Sequence, residues 1–201
     1  MKTVLPFSQL GQALQLQAGP GQPTVTLQGK LPDGKAGNMK TVALMKKLAL
    51  ARAGDAKVRG LALSILQAQG IASHDRMGEA LAIGDYVHRK VRYVKDPVGV
   101  ELLTDPLTLI EQVHRGVAQG DCDDMALFIA TLMLAVGLKP YFRMVRYTGK
   151  DHSTPFQHIY VVCYEQDLTR KEYRIVLDAI LKDQPIGSEV EHESGEEVPA
   201  F

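Results

Sequence analysis

Hydrophobic residues recur at helical spacing through most of the first two thirds of the chain. Apolar positions repeat every three or four residues over 39–70, and Gly54-Asp55 divides this stretch into two predicted helices. The same spacing predicts a helix over 76–94 and a short one over Leu107–Val113. A longer, strongly apolar helix is predicted over Asp121–Val136, where Gly137 follows as a stop signal. The first two thirds are therefore expected to be mainly helical.

The last third changes to strand-like patterns. The runs Tyr141–Tyr147, His158–Tyr164 and Tyr173–Leu177 are rich in aromatic and β-branched residues, which favour strands. A shorter alternating run, Thr24–Gln28, predicts one more strand near the N-terminus. Helices followed by an antiparallel meander indicate the α+β class. In such a meander, the start of the second strand and the end of the third lie at one edge of the sheet.

Composition shifts divide the chain into three parts. Residues 1–36 are rich in Gln, Gly and Pro, and we expect this arm to pack on the main domain or to reach a partner. Residues 37–187 carry the periodic patterns and form the predicted domain. Residues 188–201 are acidic with few apolar positions, which predicts a mobile tail.

Charge and cysteine content exclude several classes of function. Lys plus Arg and Asp plus Glu both total 23 in 201 residues, and this neutral balance argues against nucleic-acid binding. Two cysteines are too few for a disulfide framework or a four-cysteine zinc site, so we expect a reducing, cytoplasmic setting. No stretch approaches the roughly 20 apolar residues of a membrane span, and no secretory signal is visible. We therefore expect neither a membrane nor a nucleic acid among the partners.

Three residues together predict thiol chemistry. Cys122 stands at the start of the apolar helix, where unpaired N–H groups and the helix dipole favour a thiolate. His158 opens the second predicted strand and would take the thiol proton and return it to a leaving group. Asp178 closes the third strand and would hold the imidazole in the required tautomer.

Neighbouring residues leave alternatives to this interpretation. Asp121, Asp123 and Asp124 flank Cys122, and their charges would raise the pKa of its thiol. The three carboxylates would instead cap the helix if they bind its first N–H groups. A metal site is not expected, because carboxylates on consecutive residues should point in different directions and no paired ligand spacing is present. No cofactor is expected either.

Two further residues are candidates for the same chemistry. His152 lies in a predicted loop ahead of His158 and is an alternative base. Cys163 lies on the same predicted strand as His158, and alternation places it on the opposite face. A structural thiol is therefore the expectation for Cys163.

The residues around Cys122 resemble the nucleophile motif of the transglutaminase-like superfamily of cysteine proteases. The motif is Gly-Asp-Cys-Asp-Asp at 120–124, followed by an apolar helix and the exit Gly-Leu-Lys-Pro at 137–140. Gln157–Val161 is similar to the family's histidine strand, and Val176-Leu177-Asp178 to the strand that ends at its aspartate. Residues 86–97 resemble the segment before the nucleophile. The likeness covers about residues 40–180 and is strongest to small proteins encoded among phage and prophage structural genes.

This resemblance implies a papain-like α+β core, with N-terminal helices and the nucleophile helix packed on a small antiparallel sheet. It implies Cys122 as nucleophile, His158 as base and Asp178 as its orienting group, in a peptidase, amidase or acyltransferase that acts on a peptide or protein. The alternative is a non-catalytic virion structural or assembly protein with phage virion proteins as partners, in the host cytoplasm or the virion. The oxyanion hole would use the N–H of Cys122 and a second donor, for which Gln119, Gln112 and Tyr93 remain open.

Overall fold

The computed structural model describes residues 4–6, 26–29, 35–96, 101–147, 149, 156–167 and 171–201. The helices in these ranges are α1 (Lys35–Ala53), α2 (Ala56–Ala68), α3 (Arg76–Lys90), α4 (Pro106–His114) and α5 (Cys122–Ala135). The strands are β1 (Val4–Pro6), β2 (Thr26–Gly29), β3 (Arg92–Tyr93), β4 (Glu101–Thr104), β5 (Gln119–Gly120), β6 (Tyr141–Tyr147), β7 (His158–Gln166), β8 (Glu172–Leu177) and β9 (His192–Pro199).

Helix α5 is the centre of the fold. Its residues from Asp123 to Met133 are all buried, because α1, α2 and α3 pack against it together with strand β7. A helix that is apolar around its whole circumference requires partners on every side. Helices α1, α2 and α3 therefore shield α5 from water.

The main sheet lies beside α5. Its strand order is β8-β7-β6-β9, and every neighbouring pair is antiparallel. Phe142, Ile159 and Leu177 face the main core on one side of the sheet. A smaller apolar cluster covers the other side, built on Val145, Tyr160, Val162 and Val176. Strand β7 is thus buried on both faces along most of its length.

The α+β class predicted from the sequence is confirmed. The three predicted strands of the meander correspond to β6, β7 and β8, and the predicted break at Gly54-Asp55 separates α1 from α2. Asp55 is the N-cap of α2, and its carboxylate accepts a hydrogen bond from the backbone N–H of Lys57 at 2.8 Å. The local capping signal and the apolar period therefore agree with the tertiary structure.

The structure differs from the expected acidic tail. His192–Pro199 form strand β9, which pairs with β6 along the edge of the main sheet. The backbone ladder supplies the pairing, and Arg143 of β6 donates a hydrogen bond to Glu197 of β9 at 3.2 Å. Acidic residues are tolerated because an edge strand exposes part of its side chains to water. The expectation of an unstructured segment here is wrong.

Two short strands of the arm join a second, smaller sheet. β2 overlaps the run predicted at Thr24–Gln28 and pairs antiparallel with β4, while β1 pairs parallel with β2. The remainder of residues 1–34 lies outside the described residues. Because β4 leads into α4 and contacts α5, this small sheet lies close to helix α5.

Candidate active site

A short parallel ladder positions the start of helix α5. The backbone N–H of Val94 donates to the carbonyl of Gly120 at 2.9 Å, and Arg92 donates to Ala118 at 3.0 Å. Gly120 is followed by Asp121 and then by Cys122, the first residue of α5. A Cβ atom at Gly120 would lie 2.6 Å from the Cβ of Asp124, which is far closer than such atoms approach. Only glycine therefore fits at this point of the motif.

The capping expected at the helix start is not formed by Asp121 or Asp124. Asp121 occupies the N-cap position with extended backbone, but its side chain makes no capping hydrogen bond. Asp124 is directed to Thr104 instead, accepting its backbone N–H at 2.6 Å and its hydroxyl at 3.1 Å. The positive end of the helix dipole is therefore not neutralised by a capping bond from Asp121.

The carboxyl groups of Asp121, Asp123 and Asp124 have oxygen atoms within 4.8 Å of one another. The expectation that their carboxylates diverge is wrong, because Asp121 precedes the helix and does not follow helical spacing. Oxygen donors at this spacing could share protons or hold a hard cation. Neither oxygen of Asp123 has a donor among the described groups, so a hydrogen bond between Asp123 and Asp121 requires a proton on one of them.

Burial alters the charge that this cluster carries. Burial raises the pKa of Asp123 well above its usual range, and the hydrogen bond and charge of Asp121 raise it further. Burial also raises the pKa of Asp124 to about 7, although hydrogen bonds from Thr104 act in the opposite direction. Burial thus disfavours the charged form of two of the three carboxyls beside Cys122. The three carboxyls therefore disfavour a thiolate at Cys122 less than three fully ionised carboxylates would.

His158 and Asp178 are in direct contact. The Nε2 atom of His158 lies 2.8 Å from an Asp178 carboxylate oxygen, and the two side chains are 1% and 0% exposed. The antiparallel register of β7 and β8 produces this contact, because Val161 pairs with Leu177 and Asp178 comes next in the chain. Since a carboxylate only accepts, Nε2 carries the hydrogen, and the lone pair of a neutral ring is on Nδ1.

Tyr147 lies beside this pair. Its ring is stacked on that of His158, with 6.1 Å between the ring centroids and 14° between the planes. Burial raises the pKa of its hydroxyl, and negative charge on Cys122 and Asp178 raises it further. Tyr147 is therefore stacked on His158 and also lies within the electrostatic influence of Cys122, which is partly buried.

The three residues considered for the oxyanion hole differ in their surroundings. The side-chain carbonyl of Gln119 accepts from Arg92 at 2.7 Å, and that of Gln112 lies 3.4 Å from the backbone nitrogen of Gln119. Burial raises the pKa of Tyr93 to about 12, with the charge of Cys122 as the next cause. Of the three side chains, Tyr93 is the one for which an electrostatic effect of Cys122 is found.

Of the two further candidates, the structure describes Cys163 but not His152. His152 lies outside the described residues. Cys163 is fully buried in the main core, where burial raises the pKa of its thiol to about 12. A neutral core thiol is the expected state for such a group.

Sequence reasoning missed Tyr147 as a member of the site. The sequence pattern identifies it only as the last residue of a predicted strand. Its proximity to His158 follows from the β6–β7 register, in which Val145 pairs with His158 and Tyr147 lies two residues further on the same face. The sequence carries no local signal for this register, so it gave no indication of Tyr147.

No protein-family profile and no curated protein matches the sequence. Among solved structures, a "putative protease" from Parabacteroides distasonis matches with a TM-score of 0.40 and 15% sequence identity. The match covers 76% of this chain but 31% of that chain, so the present chain spans less than a third of that protein. A TM-score this low does not establish a common fold.

Among the described residues, no helix has both the length and the apolar character needed to cross a membrane.

Proposed function

We propose that the protein is a cysteine-dependent acyl transferase of the peptidase or amidase type, with a peptide or protein amide as substrate. The observation that carries this proposal is the buried hydrogen bond between His158 and Asp178. The Tyr147 ring that is stacked on His158 also has a hydroxyl whose pKa is raised in part by charge on Cys122. A desolvated imidazole held by a carboxylate, beside a thiol at a helix start, is the arrangement that nucleophilic catalysis by cysteine requires.

In the first step, the Nδ1 atom of His158 accepts the proton of the Cys122 thiol, while Asp178 accepts the hydrogen of Nε2. The thiolate attacks the carbonyl carbon of the amide and forms a tetrahedral oxyanion. The C–N bond then breaks, the proton on Nδ1 passes to the leaving amine, and a thioester to Cys122 remains.

In the second step, water or another amine attacks the thioester. His158 accepts a proton from the attacking group, and the C–S bond breaks as the acid or the new amide is released. The proton returns from His158 to Cys122, so the enzyme is regenerated. Hydrolysis and transfer to an amine differ only in the second nucleophile.

The oxyanion of both steps requires donors near Cys122. The backbone N–H of Cys122 lies at the positive end of α5, where no side-chain bond from Asp121 competes for the helix start. We assign the second donor to the Tyr93 hydroxyl, because charge on Cys122 is, after burial, the next cause of the raised pKa of this hydroxyl. Its raised pKa keeps the phenol protonated and able to donate at neutral pH.

The test is site-resolved alkylation of the two cysteines with iodoacetamide, followed by mass spectrometry. Cys122 should be labelled rapidly near pH 6.5, whereas buried Cys163 should remain unlabelled and report that the fold is intact. His158→Ala should abolish the fast labelling of Cys122 at this pH. Equal, slow labelling of both cysteines in the wild type would overturn the catalytic proposal and favour a non-catalytic role for the fold.

A further inference from the structure

The imidazole of His158 lies between two tyrosine rings. Tyr147 is stacked on it at 6.1 Å and 14°, and Tyr160 is tilted by 33° with its ring centroid at 5.3 Å. The side chain of His158 is 1% exposed. The two tyrosine rings therefore contribute to the exclusion of water from the imidazole.

The two tyrosines are held very differently. Tyr160 is 1% exposed, and its hydroxyl donates to Glu189, which also accepts two hydrogen bonds from Arg174 at 2.7 and 3.0 Å. Tyr147 is partly exposed at the end of β6, where its backbone N–H lies 3.3 Å from the Gln157 side-chain oxygen. Tyr160 is thus held in place by a buried hydrogen-bond network, whereas Tyr147 is partly exposed and is the tyrosine whose hydroxyl pKa is raised in part by charge on Cys122.

The position of Tyr147 matters because two charges would form next to it. Proton transfer from Cys122 to His158 creates a thiolate and an imidazolium, whose attraction is strong only where water is excluded. The groups whose pKa is raised in part by charge on Cys122 include Tyr93 from β3, Tyr147 from β6 and Asp123 in the first turn of α5. None of these three is a cation, and the positive charge that the proposed function supplies is the imidazolium of His158.

We propose that Tyr147 is a positioning residue whose ring, and not its hydroxyl, holds the His158 imidazole in plane and excludes water from the thiolate–imidazolium pair. The inference rests on the proposed function, since it assumes that Cys122 and His158 exchange a proton. The ring covers one face of the imidazole, as an offset aromatic stack does. Loss of the ring would admit water and weaken the attraction between the two charges.

The test is the pH dependence of Cys122 alkylation by iodoacetamide between about pH 5.5 and 9, measured for three variants beside the wild type. In Tyr147→Ala the titration should move upward by about one unit, so that labelling near pH 6 is about tenfold slower. Tyr147→Phe retains the ring and should retain the wild-type profile. Tyr164→Ala is the matched control, because Tyr164 lies on the same strand as His158 but six residues away, about 20 Å along the chain.

The outcomes separate this inference from the proposed function. A wild-type Cys122 that titrates as an ordinary cysteine, unaffected by His158→Ala, would overturn the proposed function and the inference with it. A wild-type profile displaced to low pH that persists in Tyr147→Ala would overturn the inference alone. So would a Tyr147→Phe profile displaced as far as that of Tyr147→Ala. If Tyr147→Ala exposes Cys163 to labelling, Tyr147→Leu replaces it with the same expectation.

Discussion

The carboxyl group of Asp124 accepts two hydrogen bonds from Thr104, one from the backbone N–H at 2.6 Å and one from the hydroxyl at 3.1 Å. This contact joins the first turn of α5 to β4, and through β4 to the small sheet that includes β2. Burial nevertheless raises the pKa of Asp124 to about 7, from the ordinary value of 3.8. Helix α5 is thus held to β4 by a group whose charge changes near neutral pH.

This raised pKa predicts a pH-dependent stability. Between about pH 4 and 7, the unfolded chain loses the Asp124 proton while the folded chain keeps it, so the folded state binds more protons. The contribution of Asp124 to stability therefore falls as the pH rises through this window, and it levels off above about pH 7. The size is on the order of a few kcal/mol.

Asp124→Asn should remove this dependence, because the amide retains an acceptor for the Thr104 N–H but does not titrate. Urea unfolding at pH 5 and pH 8 should show a smaller loss of stability in the variant than in the wild type. Asp55→Asn is the matched control, since Asp55 caps α2 at the surface and asparagine caps equally well. Equal slopes for Asp124→Asn and the wild type would contradict the prediction.

The second prediction concerns the partner of the proposed base. Asp178→Ala should leave the buried Nε2–H of His158 without an acceptor, at a cost of about 1–3 kcal/mol in the free energy of unfolding. The imidazole would also lose its orientation, so Cys122 alkylation near pH 6 should slow at least about tenfold, the equivalent of one pKa unit. Asp178→Asn retains an acceptor and should fall between the wild type and the alanine variant. Unchanged alkylation in Asp178→Ala would argue against the assigned role.

The third prediction concerns a buried ion pair far along the chain from the proposed site residues. Arg52, near the end of α1, donates to both carboxylate oxygens of Asp105 at 2.5–3.1 Å, and the two residues are 9% and 2% exposed. Arg52→Met leaves a buried carboxylate without its cation, which should cost about 3–5 kcal/mol. Lys57→Met breaks an exposed pair with Glu111 and should cost at most about 1 kcal/mol. Chemical denaturation of both variants measures the difference, and comparable losses would contradict the prediction.

The fourth prediction tests the close packing behind Cys122. A methyl group at Gly120 would lie 2.6 Å from the Cβ of Asp124, so Gly120→Ala must displace the start of α5 and should lower both stability and the rate of Cys122 alkylation. At Gly60 in α2, by contrast, a methyl group would have no neighbouring atom within 4 Å. Gly60→Ala should therefore stabilise the protein by about 0.5–1 kcal/mol. Thermal unfolding distinguishes the two, and a tolerated Gly120→Ala would show that the packing behind Cys122 is loose.

The two ends of the main sheet show where sequence patterns are sufficient and where they fail. β6, β7 and β8 were predictable because they are rich in aromatic and β-branched residues. β9 was missed because its Glu, Ser and Gly residues have low strand propensity. What makes it a strand is the free edge of β6 and the charge of Arg143 opposite Glu197, both of which lie about 50 residues away along the chain.

The residues of the proposed site also differ in how far local sequence patterns identify them. Cys122, His158 and Asp178 could be named from local patterns, because each stands at the beginning or end of a predictable element. Tyr147 could not be, since its role depends on the register between β6 and β7. The oxygen atoms of Asp121, Asp123 and Asp124 come together because one residue precedes the helix while two lie in its first turn.

The sequence by itself determined the helices and the meander, and it placed the three proposed site residues at the ends of these elements, because these features depend on periodicity and on capping signals within a few residues. Only the tertiary structure decided that burial raises the pKa of two aspartates beside Cys122, that Tyr147 is stacked on His158, and that an acidic segment becomes a strand. The physical reason is that desolvation and stacking depend on what packs across the fold. A local pattern does not contain that information.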